Sequence, residues 1–134
     1  MNNSDSHIIP VLAGIIFNRK NQVLLAQRKP GLSREMKWEF PGGKLKVGES
    51  PEECLRREIG EELGIDITVK QIFCAVNHSY RDRNILLLSY FCEYNSGEFR
   101  LSDHREVRWV PVAEIPELEL SEADIPIAKK LVNG

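Results

Sequence analysis

The sequence predicts an α/β or α+β fold on a mixed β-sheet. Two observations carry this expectation. β-rich segments alternate with two helical segments in the order β-rich, helix, β-rich, helix, and the first helix is bounded by explicit caps at both ends. Residues 1–6 are polar and read as a flexible tail, leaving 7–134 as a single domain. Residues 11–17 form an apolar run, which fits a buried strand. The polar stretch 18–21 is turn material and 23–26 resumes as a strand, so the pair reads as a hairpin. Residues 29–36 make a basic loop holding Pro30 and Gly31. Trp38, Glu39 and Phe40 form a short alternating piece that stops at Pro41, Gly42 and Gly43.

The helix that follows is predicted over Pro51–Leu63. Ser50 is its N-cap, Pro51 its first residue, and Glu53 completes a capping box by reaching back to the N-cap backbone. Gly64 follows the last apolar position, as a left-handed C-terminal cap requires. Two long β-rich segments, 67–77 and 84–94, are joined by the turn-like Arg81, Asp82 and Arg83. A strand over 108–112 comes next. A second helix is predicted over 121–132, with Pro126 in its first turn because a proline deeper inside would break it.

Composition narrows the function. Apolar residues make up 42% and charged residues 28%, an ordinary globular balance. The formal net charge of −2 gives no basic field for polymeric nucleic acid, though a small anion could bind beside a local cation. No apolar run is long enough to span a bilayer, so no membrane partner is expected. Cys54, Cys74 and Cys92 show no paired metal-ligand spacing and read as reduced thiols of a cytoplasmic protein.

On the first helix, Leu55, Ile59 and Leu63 recur every fourth residue and form the packing stripe. Glu58, Glu61 and Glu62 share an adjacent face at i, i+3 and i+4. Like charges at these spacings cost roughly 0.2–0.5 kcal/mol per pair. They also crowd the negative end of the helix dipole. A solvated acidic face is the plain explanation. The neighbours favour another: Gly42 and Gly43 precede the helix, Glu49 stands at its entrance, and Arg57 lies among the carboxylates. Hard oxygen donors on one rigid face suit Mg²⁺ or Mn²⁺.

The stretch GKLKVGESPEECLRREIGEELGI, residues 43–65, resembles the Nudix box, G-x5-E-x7-R-E-U-x-E-E-x-G-U, where U is a bulky aliphatic. Gly43, Glu49, Arg57, Glu58, Ile59, Glu61, Glu62, Gly64 and Ile65 meet every defining position. The segments WEFPGGK, LLAQR, Asp103-His104 before Trp109, and Ala123-Asp124-Ile125-Pro126 resemble the MutT-like and CTP pyrophosphohydrolase-like branches. The resemblance implies an α/β/α sandwich and Mg²⁺-dependent hydrolysis of a nucleoside triphosphate to monophosphate and pyrophosphate, by attack at the β-phosphorus. It implies catalytic or metal-binding roles for Glu58, Glu61, Glu62, Asp103 and Gly42, with Glu49 and Arg57 orienting them. Asp103 stands where the family usually carries Glu. Arg28 matches a phosphate- or nucleotide-contacting arginine, and Glu39, Phe40, Pro41, Gly42, Gly43, Tyr80 and Asp124 complete the substrate side.

Asp124 invites two readings: an N-cap aspartate of the second helix, or a base reader whose ionised carboxylate accepts from an exocyclic amine or ring N–H. Phe40 and Tyr80 could stack on a base, or serve as core and rim aromatics. His78 and His104 read as surface or hydrogen-bonded residues near the site, and Trp38 and Trp109 as packing. Other functional readings stay open here: hydrolysis of another nucleoside diphosphate derivative, or a non-catalytic nucleotide-binding module. The expected partner is a small nucleotide, such as 8-oxo-dGTP or a cytidine nucleotide. Either a monomer or a homodimer is consistent with the sequence.

Overall fold

The computed structural model describes residues 6–134, so the predicted tail falls almost wholly outside the described residues. Seven strands form one mixed sheet: β1 (Ile9–Phe17), β2 (Gln22–Arg28), β3 (Trp38–Glu39), β4 (Gly42–Lys44), β5 (Asp66–Ser79), β6 (Asn84–Ser96) and β7 (His104–Pro111). The main path runs β3-β2-β1-β6-β5, with β4 added on β1 and β7 on β2. The β1–β6 pair is parallel and the remaining pairs are antiparallel. The helices are α1 (Pro51–Leu63) and α2 (Ile125–Asn133).

Alternation along β1 and β2 divides the core between the two faces of the sheet. Leu12, Ile16 and Leu24 pack with Leu55, Ile59 and Leu63 of α1. Ala13, Ile15, Val23 and Leu25 pack with Ile127 and Ala128 of α2. The result is the expected α/β/α layering on a mixed sheet. Leu55, Ile59 and Leu63 are at most 1% exposed, and burying each contributes about 1.5–3 kcal/mol. That apolar stripe fixes which way α1 faces, and so where its carboxylates project.

Both predicted caps of α1 are present. Ser50 accepts from the Glu53 N–H, Glu53 returns a bond to the Ser50 N–H, and Gly64 takes φ 73°. Two features differ from expectation. Gly42 and Gly43 read as the end of the Trp38–Phe40 piece, yet with Lys44 they form a strand paired with β1, and Gly42 fits there only because it lacks a side chain. A Cβ on Gly42 would overlap the Leu12 carbonyl. The second helix also begins later than residue 121. Pro126 has no N–H to give the Glu122 carbonyl, so the Ile125 N–H takes that carbonyl instead and residues Glu122–Asp124 wind as a tighter 3₁₀ turn. Pro126 then falls in the first turn of α2.

Among the described residues, no helix is long and apolar enough to cross a membrane. All three cysteines are free. Burial pushes Cys54 up to about 11 and Cys92 up to about 12, so both stay thiols.

Candidate active site

Strand β4 and helix α1 meet edge-on, and their contact places the acidic groups. A Cβ on Gly43 would overlap the carboxylate of Glu58 and lie 2.8 Å from its Cγ. The missing side chain is therefore the space that Glu58 occupies. Arg57 fixes the other side of the same carboxylate, donating from Nη1 to Glu58 Oε1 at 2.8 Å. Its Nε and Nη2 donate to the two oxygens of Glu49 at 2.5 and 3.0 Å, and Nη2 also reaches the Lys44 carbonyl at 3.2 Å. One guanidinium thus ties the helix entrance to the acidic face. The hydrogen bond from Arg57 holds Glu49 down at about 2, and the same partners hold Arg57 firmly protonated.

Glu58 and Glu62 line a cavity of about 570 Å³ together with Gly42, Gly43, Asp103 and Asp124. Burial pushes Glu62 up to about 8, reinforced by the negative charge of Glu58, Glu39 and Asp103. Glu61 sits differently. Its side chain is 60% exposed, it lies 3.5 Å from Arg57 and it does not line the cavity. Among the described residues, no three carboxylate, imidazole or thiol side chains are gathered to hold a metal ion by themselves. The donor set nonetheless fits a hard divalent cation. Glu58 and Glu62 supply oxygen to a pocket that Asp103 and Glu39 also line, and Mg²⁺ commonly takes only one or two protein carboxylates beside water and substrate phosphate.

Cations occupy the same cavity. Arg28, Arg34 and Arg83 all line it. Arg28 donates to the Ser33 carbonyl at 2.6 Å and pairs with Glu39 at 3.3 Å. Arg34 lies 4.4 Å over the ring of Tyr80 and 3.5 Å from Asp82. In the sequence, only the basic character of their loops marks Arg34 and Arg83. Glu39 is also bound by the buried His104, whose Nε2 lies 2.9 Å from its carboxylate. His104 accordingly has the hydrogen-bonded role.

The aromatics expected on the substrate side are placed unlike free stacking platforms. Phe40 is 3% exposed and packs in the core, while its backbone N–H donates to Asp124 Oδ1 at 3.0 Å. Tyr80 accepts the Ala123 N–H at 2.8 Å, has Arg34 over one face and meets the His78 ring in a T-shaped contact. Pro41 is fully buried and its carbonyl accepts the Gly14 N–H at 2.7 Å. Asp124 makes no side-chain cap to α2, so the capping explanation fails: its carboxylate is spent on the N–H of Phe40, in the link between β3 and β4. Burial raises Asp124 well above the usual carboxylate range, with Glu39 adding to the effect. Trp38 and Trp109 pack as expected, Trp109 against Tyr94 and Phe99.

Comparison with known proteins agrees with this architecture. The family model for the NUDIX domain matches residues 8–131. The chain is 33% identical over 129 residues to the 8-oxo-dGTP diphosphatase of Haemophilus influenzae, covering 96% of this chain and 95% of that protein. It is 34% identical over 120 residues to the CTP pyrophosphohydrolase of Escherichia coli, covering 90% and 88%. The crystal structure of the MutT protein from Methanosarcina mazei Go1 superposes with a TM-score of 0.87 at 25% identity, covering 98% of this chain and 97% of that one. With the box intact, α1 correctly faced and the sheet in place, the chain belongs to the Nudix hydrolase family.

Proposed function

We propose that this enzyme hydrolyses a nucleoside triphosphate to the monophosphate and pyrophosphate, with 8-oxo-dGTP or a cytidine triphosphate as its substrate. One observation carries the reading. Among the described residues, the buried side-chain polar atoms without a hydrogen-bond partner are His78 Nε2, Arg83 Nε, His104 Nδ1 and Ser121 Oγ. All but that of His78 belong to residues lining the 570 Å³ cavity. His78 Nε2 itself lies 3.3 Å from Glu122 without hydrogen-bond alignment. Orphan buried polar groups are rare in folded proteins, and their gathering on one cavity marks where a polar ligand completes the structure. The cavity also joins carboxylates at one place to guanidinium groups at another, as a substrate with metal-bound phosphates and a polar base requires.

The residues divide the work. Arg57 holds Glu58 and Glu49 in fixed positions, and Glu58 and Glu62 would hold Mg²⁺ or Mn²⁺. A bound divalent cation supplies charge neutralisation on the phosphates and a lowered pKa for the attacking water. Arg28, Arg34 and Arg83 offer donors to phosphate or base. Asp124, held by the Phe40 N–H, reads the base. Asp103 stays as an auxiliary carboxylate, and the exposed Glu61 acts through Arg57 or an additional metal ion.

Turnover in Mg²⁺ across 8-oxo-dGTP, dGTP, CTP, dCTP, a sugar nucleotide and a dinucleoside polyphosphate tests the proposal. Triphosphates should have the highest kcat/KM. Glu58→Gln and Glu62→Gln should each lower kcat at least ~10²-fold. Faster turnover of the sugar nucleotide, or near-normal rates in both variants, contradicts it.

A further inference from the structure

We propose that Ser121 is a specificity-determining residue, whose hydroxyl contacts the edge of the bound nucleobase beside Asp124. The inference rests on the reading of the cavity as a nucleotide site and names a contact that the Nudix box does not contain. Ser121 is 2% exposed, its Oγ has no partner, and the residue lines the cavity. Its backbone is fully engaged. The Ser121 N–H donates to the Trp38 carbonyl at 2.8 Å, and its own carbonyl accepts the Asp124 N–H at 3.0 Å. Upstream, the Trp38 N–H donates to the Glu119 carbonyl at 2.8 Å, so residues 119–121 are zipped to β3. The segment therefore has little freedom to swing its hydroxyl toward an internal partner.

A buried hydroxyl without a partner is costly, and a hydroxyl is both donor and acceptor. It can complement either a carbonyl or an amino group. Asp124 stands three residues on, held to Ser121 by that N–H to carbonyl bond, with Oδ1 already given to the Phe40 N–H. The two side chains thus offer neighbouring hydrogen-bonding groups from one rigid turn. Adjacent carbonyl, ring-nitrogen and amino groups on a base edge match such a pair.

The test is Ser121→Ala, a change that removes little more than the hydroxyl. kcat/KM is measured for 8-oxo-dGTP, dGTP, dCTP, CTP and dTTP, alongside the melting temperature of the metal-free protein. The expected result is about a tenfold fall for the best substrate, expressed in KM, with a smaller fall for the others, so that the ranking is compressed. The melting temperature should stay level or rise, because an unpaired buried group has been deleted. An unchanged ranking, or a change confined to the ribose-against-deoxyribose ratio of CTP and dCTP, overturns the proposal. If the wild type hydrolyses no triphosphate, the proposed function fails separately, and calorimetric titration with the corresponding monophosphates decides this inference alone. Weaker binding of one base by Ser121→Ala then supports it, and identical affinities or no binding by the wild type overturn it.

Discussion

Gly43→Ala separates placement of the acidic site from stability of the fold. The added Cβ would overlap the Glu58 carboxylate and sit 2.8 Å from its Cγ, so something must shift. The obstructing atoms are the end of a flexible side chain, and Glu58 can turn away without moving the backbone. Relief requires the carboxylate to move by about 1 Å, a displacement that can cost about 10²-fold in rate. Movement also breaks or drags the 2.8 Å bond from Arg57. Gly42→Ala is the contrasting control, because its Cβ meets the Leu12 and Ala13 backbone, with Leu12 C at 2.8 Å and Ala13 Cα at 3.0 Å. The assay pairs kcat in saturating Mg²⁺ with thermal unfolding for both variants. Gly43→Ala should keep a melting temperature within a few degrees of wild type and lose about 10²-fold in kcat, whereas Gly42→Ala should lose stability. Turnover by Gly43→Ala within about threefold of wild type refutes the claim that the bare backbone makes room for Glu58.

Further outcomes follow from the same geometry. Arg57→Lys surrenders the bidentate grip, so the Glu49 carboxyl, followed by NMR, should rise from about 2 toward the ordinary range. The wild type gains stability from that depressed value above the unfolded pKa of about 4.3 and loses it as pH falls toward the folded value; the variant should lack this acid slope. Asp124 has the opposite sign. Its raised folded value means stability declines as pH rises from about 3.9 through the folded pKa, so the melting temperature of Asp124→Asn minus that of wild type should grow with pH. A difference independent of pH contradicts the burial argument. Mg²⁺ should stabilise the wild type by about 2.7 kcal/mol at about a hundredfold excess over Kd, and Glu62→Gln should reduce this at fixed Mg²⁺; an identical shift in the variant removes Glu62 from the metal site.

Helix α1 was legible because everything that specifies it is local. Ser50, Pro51, Glu53 and Gly64 mark its ends, and Leu55, Ile59 and Leu63 mark its buried side. From those alone the acidic face could be drawn, though not which members turn inward. Glu61 and Glu62 are sequence neighbours, yet only Glu62 lines the cavity. What the sequence hid is what long-range pairing decides. Strand β4 forms because Gly42 brings bare backbone against β1, and the carboxylate of Asp124, one of whose two readings was a helix cap, accepts the N–H of Phe40 instead. Arg83 lies in a turn marked only by its basic residues, and Ser121 in a turn with no functional mark at all. Their importance appears only when the chain closes a cavity around atoms left without partners.

The most direct test of the central claim is the fate of oxygen from labelled water. Single-turnover hydrolysis of the preferred triphosphate in ¹⁸O-water with Mg²⁺, read by the isotope shift in ³¹P NMR, identifies both the products and the phosphorus attacked. Pyrophosphate carrying the label beside unlabelled monophosphate is the expected result, with the signal lost in Glu58→Gln. Release of orthophosphate, label in the monophosphate, or undiminished turnover by Glu58→Gln would contradict a pyrophosphohydrolase site built on α1.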